Sequence, residues 1–278
     1  MSPFKKLAGQ TAIYGIPTIV GRLLNYLLVP LYTYNFTTAQ FGTVTEMYAY
    51  SSFLLVILTY GMETAIFRFS QAEENKDRVY SSSLFSVFSS SVLFISSVYL
   101  FSTPIAEKLN YPDHREYIVW FAWILGLDAL CCIPFARLRE QNRPKRFAIF
   151  KSVNIFVNIL LNVFFIVLCP KIYQSPDNFF YSFIQKMYDP SIGVGYIFIS
   201  NLIASITTNL LLTSDYIAIR LVLDKALWKK MMRYALPLTL AGLAGIANET
   251  MDRILLKYLL PDKSSAMAQL GIYGACYK

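Results

Sequence analysis

The sequence predicts an all-α polytopic membrane protein. Residues 1–222 form a six-helix N-terminal transmembrane lobe, 223–233 an amphipathic cytoplasmic linker, and 234–278 the first one to two helices of a second, repeat-related lobe. Three observations carry this reading. Hydrophobic residues make up 55% of the 278 and charged residues only 15%, against roughly 25% charged in a soluble domain. The apolar residues fall in runs of about 20, the length a helix needs to cross a bilayer. Finally, Arg22-Leu-Leu-Asn-Tyr-Leu-Leu-Val-Pro30 recurs as Arg253-Ile-Leu-Leu-Lys-Tyr-Leu-Leu-Pro261, and each copy runs on to a second tag, Ala39-Gln-Phe-Gly42 and Ala268-Gln-Leu-Gly271.

Taken in order, the first span covers 7–34: two lysines precede an apolar stretch that lacks a small-residue cleavage site, so it is a retained span rather than a removable signal. The second, 45–67, carries Glu63 and stops before Arg68. The third, 80–103, is serine-rich, and Ser82, Ser86 and Ser90 at i, i+4 and i+8 let a neighbour approach closely. The fourth, 117–138, holds Asp128 and the adjacent Cys131 and Cys132, which read as buried helix residues without metal spacing. The fifth, 147–169, bears Asn154, Asn158 and Asn162 on one stripe, and the sixth, 193–219, a weaker one of Asn201, Ser205 and Thr208. Between them, Lys171–Ser191 sets Phe179, Phe180, Tyr181, Phe183 and Tyr188 among polar residues, the composition of a short interfacial helix. Leu223, Leu227 and Met231 share one face of the basic linker that follows. The seventh span covers 234–260, and an eighth opens near 268; the chain therefore reads as the first half of a larger transporter plus the opening of its second half.

The net charge of +8 does not point to nucleic acid, because the basic residues alternate between loops. Sixteen lie at the N-terminus and in the loops around 68–78, 137–151 and 220–233, and six, including Lys257, lie on the opposite side. The positive-inside rule then puts the N-terminus in the cytoplasm.

Arg22 is the costliest residue, an arginine deep in the first span. Its helix offers no acid at i±3 or i±4, so it needs another helix, a wet cavity or an anionic ligand; Asp128 is the natural protein partner. Arg253 differs, because Glu249 precedes it by four residues and Asp252 is adjacent. That cluster is either self-neutralised or, with Asn248, a carboxylate and amide site for Na+ or H+. The asparagine stripe either bonds helix to helix or lines a cavity for sugar hydroxyls. Glu63 and Arg68, five apart, are candidates for a gate or salt bridge, or for charges snorkelling at a helix end. The sequence offers no nucleophile elbow, phosphate-cradling glycine loop or metal-ligand cluster, which argues against an enzyme.

Leu7-Ala-Gly-Gln-Thr-Ala-Ile-Tyr-Gly15, Gly21-Arg-Leu-Leu-Asn-Tyr-Leu-Leu-Val-Pro-Leu-Tyr-Thr33, Tyr60-Gly-Met-Glu-Thr-Ala-Ile-Phe-Arg-Phe69, Met251-Asp-Arg253 and Leu270-Gly-Ile-Tyr-Gly-Ala-Cys-Tyr-Lys278 resemble bacterial oligosaccharide flippases. These are the Wzx-type members of the multidrug/oligosaccharidyl-lipid/polysaccharide exporter superfamily. The resemblance implies two six-helix lobes, alternating access, and a cationic cavity that carries an undecaprenyl-diphosphate-linked oligosaccharide across the inner membrane for surface polysaccharide. By type and place Arg22 matches the family's first-span arginines for the diphosphate. Arg253, Asn25 and the three stripe asparagines are the further substrate-contact candidates. A guanidinium fork suits pyrophosphate oxygens and stays charged at cellular pH. A cation-coupled multidrug or metabolite exporter of the same superfamily is the alternative, but it would want an unpaired acid in the first span, which has none. No cofactor beyond a coupling Na+ or H+ is implied. Partners are the lipid-linked glycan, membrane lipid, and glycan polymerase or glycosyltransferases of the same pathway.

Overall fold

The computed structural model describes residues 15, 19–21, 23–24, 26–73, 75–262 and 265–276, and among them every regular element is helical. Helix α1 includes 19–21, 23–24 and 26–35. The second span is split into α2 (Thr38–Thr59) and α3 (Met62–Ala72). α2 starts on a capping box, in which the Thr37 hydroxyl accepts from the Gln40 amide and the Gln40 side chain accepts from the Thr37 amide. It ends where Tyr60 and Gly61 both take positive φ, 33° and 67°; the left-handed pair stops one helix and starts the next.

The third span is α4 (Lys76–Leu100), and a short α5 (Ser102–Lys108) leads to α6 (Arg115–Glu140), the fourth span. α7 (Pro144–Val163) passes through a π segment at Phe164–Leu168 into α8 (Cys169–Tyr173). The aromatic connection holds α9 (Tyr181–Met187), the short helix its composition predicts, with Phe179, Phe180 and Phe183 exposed. α10 (Gly195–Leu211) and α11 (Thr213–Ile217) follow. α12 (Lys225–Leu259) begins on the Asp224 cap, so the amphipathic stretch from Lys225 on is helical and runs without a break into the seventh span. Leu227, Met231 and Ala235 are buried along one face of it. α13 (Ala266–Cys276) closes the described chain.

Among the described residues, four helical segments, Thr38–Ala72, Lys76–Leu100, Arg115–Glu140 and Pro144–Tyr173, are long and apolar enough to cross a membrane. With these, the chain is a multi-pass membrane protein. The loops sort into two ends. The basic end gathers the α3–α4 and α6–α7 connections and the α10–α12 region through Arg137 on Asp77, Arg78 on Asp224 and Arg146 on Asp215. The aromatic end gathers the α1–α2, α5–α6, α9–α10 and α12–α13 connections; there Gln40 and Gly193 line one cavity, and the Tyr117 hydroxyl donates to the Ile192 carbonyl at 3.2 Å.

Among the described residues the buried hydrophobics form four clusters, of which the two largest lie toward opposite ends of the bundle. One packs Tyr32, Phe41, Phe121 and Phe198 toward the aromatic end; the other packs Met62, Ile66, Leu84, Ile133 and Met231 toward the basic end.

Candidate functional site

In the fold the duplicated tags meet each other. Gly42 on α2 and Gly271 on α13, the last residue of each tag, lie face to face. A Cβ on Gly42 would fall 2.1 Å from the Met267 carbonyl oxygen, and one on Gly271 would fall 1.9 Å from the Thr38 carbonyl oxygen. Each glycine thus meets the carbonyl four residues before its counterpart, a reciprocal contact of the kind a two-fold axis produces. Only hydrogen side chains allow backbones this close. The seam extends one turn on, where Gly274 meets Thr45.

Beside this seam stands a buried ion pair that the reading of the loops did not anticipate. Glu46 on α2 is 0% exposed and Lys257 on α12 is 8% exposed. The Lys257 Nζ donates to both Glu46 oxygens at 2.9 Å and to the Leu109 carbonyl at 2.8 Å. The Tyr111 hydroxyl donates to Glu46 Oε2 at 2.5 Å, and the ammonium lies 4.8 Å from the Tyr111 ring centre. Tyr111 sits in the α5–α6 connection, where burial and then the Glu46 carboxylate push its phenol up, keeping it a donor. Lys257 is therefore not the exposed loop charge that counting by topology makes it. A lysine four residues before a helix-ending proline reads as an end-of-helix cation; only the fold brings an acid 211 positions away against it.

An apolar cavity of about 490 Å³ adjoins the pair. Met47 and Tyr50 of α2, Leu109, Ile118 and Phe121 near α6, and Met251 and Ile254 of α12 are among its walls. The Tyr50 and Tyr258 hydroxyls meet at 3.0 Å near it.

Arg22 and Asn25 lie outside the described residues. Asp128, the acid expected opposite Arg22, accepts a hydrogen bond from the Ser205 hydroxyl at 2.7 Å. Arg253 is half-buried on α12, and its backbone amide donates to the Asp252 carboxylate at 2.8 Å. The other Asp252 oxygen accepts from the Tyr273 hydroxyl, which ties α12 to α13; Asn248 and Glu249 are exposed. Glu63 does not pair with Arg68. It takes Arg139 of α6, with the Cys132 thiol 3.0 Å from its second oxygen. Arg68 instead covers the Tyr234 ring at 4.5 Å. Five residues on a helix turn the chain by about 140°, so Glu63 and Arg68 leave on different faces.

Of the asparagine stripe, Asn154 and Asn158 are half-buried and Asn162 is buried. Asn154 donates to the Thr208 hydroxyl at 2.8 Å, linking α7 to α10. Asn162 is fully buried; its amide donates to Asn158 while its oxygen accepts from the Tyr32 hydroxyl of α1 at 3.0 Å. The serine stripe of α4 also packs: Ser86 meets the Tyr60 hydroxyl at 2.6 Å and accepts from the Trp228 ring N–H at 2.8 Å.

A family model described as polysaccharide biosynthesis protein matches residues 7–278. No curated protein and no solved structure matches the chain.

Proposed function

The chain belongs to the polysaccharide biosynthesis protein family, that of Wzx-type flippases and not of enzymes, and from that premise we propose a specific role for it. It carries an undecaprenyl-diphosphate-linked oligosaccharide from the inner to the outer leaflet of the bacterial cytoplasmic membrane, by alternating access around a cationic cavity, for O-antigen, capsule or exopolysaccharide. The basic end faces the cytoplasm, with the N-terminus on that side, in keeping with the excess of basic residues in its loops.

The observation that carries this reading is the family match along 7–278 on a multi-pass helical bundle. In it Arg22 and Arg253 hold the diphosphate, since a guanidinium gives two parallel donors to phosphoryl oxygens. Asn25 contacts the headgroup beside Arg22, and Asn248, Glu249 and Asp252 bind the coupling Na+ or H+.

Replacing Arg22 by Ala, and separately by Lys, tests it. Both variants are expected to accumulate lipid-linked oligosaccharide on the cytoplasmic leaflet and to lose surface glycan. Unchanged surface glycan in both would remove Arg22 from the mechanism. Drug sensitivity on deletion, with glycan intact, would favour the drug-exporter reading.

A further inference from the structure

Glu46 and Lys257 come from the two sides of the internal duplication, yet the duplication does not explain them. The repeat register puts Tyr26 at the place of Lys257, and the tag register puts Ala275 at the place of Glu46. The pair is an addition to one side of an otherwise symmetric seam.

Its surroundings make it a two-state contact. The two charges, the Tyr111 hydroxyl and the Leu109 carbonyl satisfy one another completely. Next to them is the apolar cavity, to which Met47 and Ile254 contribute from the same two helices. A partial separation would leave a carboxylate or an ammonium facing hydrocarbon walls, which is far costlier than either the closed pair or full exposure to water. The glycine seam alongside behaves in the same way, because backbone contacts without side chains either fit or part. α12 is one continuous helix from Lys225 to Leu259, so displacement at Lys257 moves its neighbours as a body.

We infer that Glu46, Lys257 and Tyr111 form a latch that joins the two repeat-related halves at the aromatic end, and that its rupture is the step that opens this end. The assignment holds whatever solute is carried.

The test uses the full chain with Cys131, Cys132, Cys169 and Cys276 replaced by alanine and one reporter cysteine returned. Thr45→Cys places the reporter in the seam against Gly274, and Thr239→Cys places a control beside Gly61, farther along α12. The rate of maleimide labelling in detergent is the readout. Glu46→Gln and Lys257→Met are each expected to raise labelling at 45 by about tenfold or more, with 239 unchanged. The exchange Glu46→Lys with Lys257→Glu is expected to restore protection at 45. Wild-type labelling at 45 in both single variants would overturn the latch, as would equal increases at 45 and 239. An exchange that leaves 45 exposed with 239 protected would also overturn it. Should the exchange disturb both reporters, Tyr111→Phe decides: a smaller, local increase at 45 supports the latch, and no increase rejects it.

Discussion

At the basic end, Lys76 reaches Glu140 with its side chain 59% exposed, and Arg137 reaches an Asp77 that is 64% exposed. At the aromatic end, Lys257 reaches Glu46 with the two side chains 8% and 0% exposed. All three are ion pairs of about one hydrogen-bond length, yet they do different work. Exposed pairs exchange one well-solvated arrangement for another and contribute about 0–1 kcal/mol. The buried pair has no solvent to fall back on, so each partner depends on the other. The basic end therefore gains its firmness from packing, with Leu227, Met231 and Ala235 set among Met62, Leu84 and Ile133. The aromatic end has a core of its own around Phe121 and Phe198, and there the contact of α2 with α12 adds the buried pair and the adjacent glycine seam. Packing yields gradually; a buried ion pair and a glycine seam yield all at once.

The sharpest way to break this comparison is to remove one charge at each end. Lys257→Met leaves Glu46 buried without its counter-ion and is expected to cost about 3–5 kcal/mol. Lys76→Met is expected to cost less than about 1 kcal/mol. Thermal unfolding of the two purified variants in detergent measures both, and equal losses would erase the distinction.

Glycines come next. Gly271→Val drives a side chain into the Thr38 carbonyl and is expected to cost about 2–3 kcal/mol. Gly245→Ala on α12 meets nothing within 4 Å and is expected to be neutral or to stabilise by about 0.5–1 kcal/mol. The same melts, run side by side, show whether the seam or the helix sets the outcome.

A smaller effect is expected within the first lobe. Asn162→Ala removes the bond from Tyr32 and those to Asn158. Interhelical polar contacts in membranes contribute about 0.6 kcal/mol on average and up to about 1.7, so its melt should fall between those of Lys76→Met and Gly271→Val.

The smallest effect belongs to Asp224, the cap of α12. Its carboxylate accepts from the Leu227 and Ala226 amides and lies beside Arg78; the first of these amides, above the other causes, holds its pKa below the usual 3.8. A depressed folded value means that its contribution is present above the ordinary carboxylate range and is lost as pH falls through the lower folded value. The difference in melting temperature between Asp224→Ala and the parent should accordingly shrink below about pH 4. A difference that stays constant to lower pH would mean that the ionised cap contributes nothing.

Much of this protein was legible before any coordinates. Apolar runs of about 20 residues dictated helices across a membrane, because an unpaired backbone cannot exist in hydrocarbon. Aromatic residues among polar ones marked a short helix, found as α9. Leu227 with Met231 foretold the buried face at the start of α12. These are properties of local pattern, which a chain displays residue by residue.

Partnership was decided only by the tertiary structure. Glu63 had a nearby arginine in sequence and took Arg139, 76 positions away. The three stripe asparagines announced a polar face, but only the packing of α1 and α10 against α7 shows that Tyr32 and Thr208 receive two of them. Glu46 carried no sign of its importance, and Lys257 carried a misleading one. A charge at the end of a helix is cheap if water reaches it and costly if a neighbouring helix covers it, and which of these holds depends on residues far along the chain. Sequence by itself determined where the helices run; the fold decided which of their charges would be shut away together.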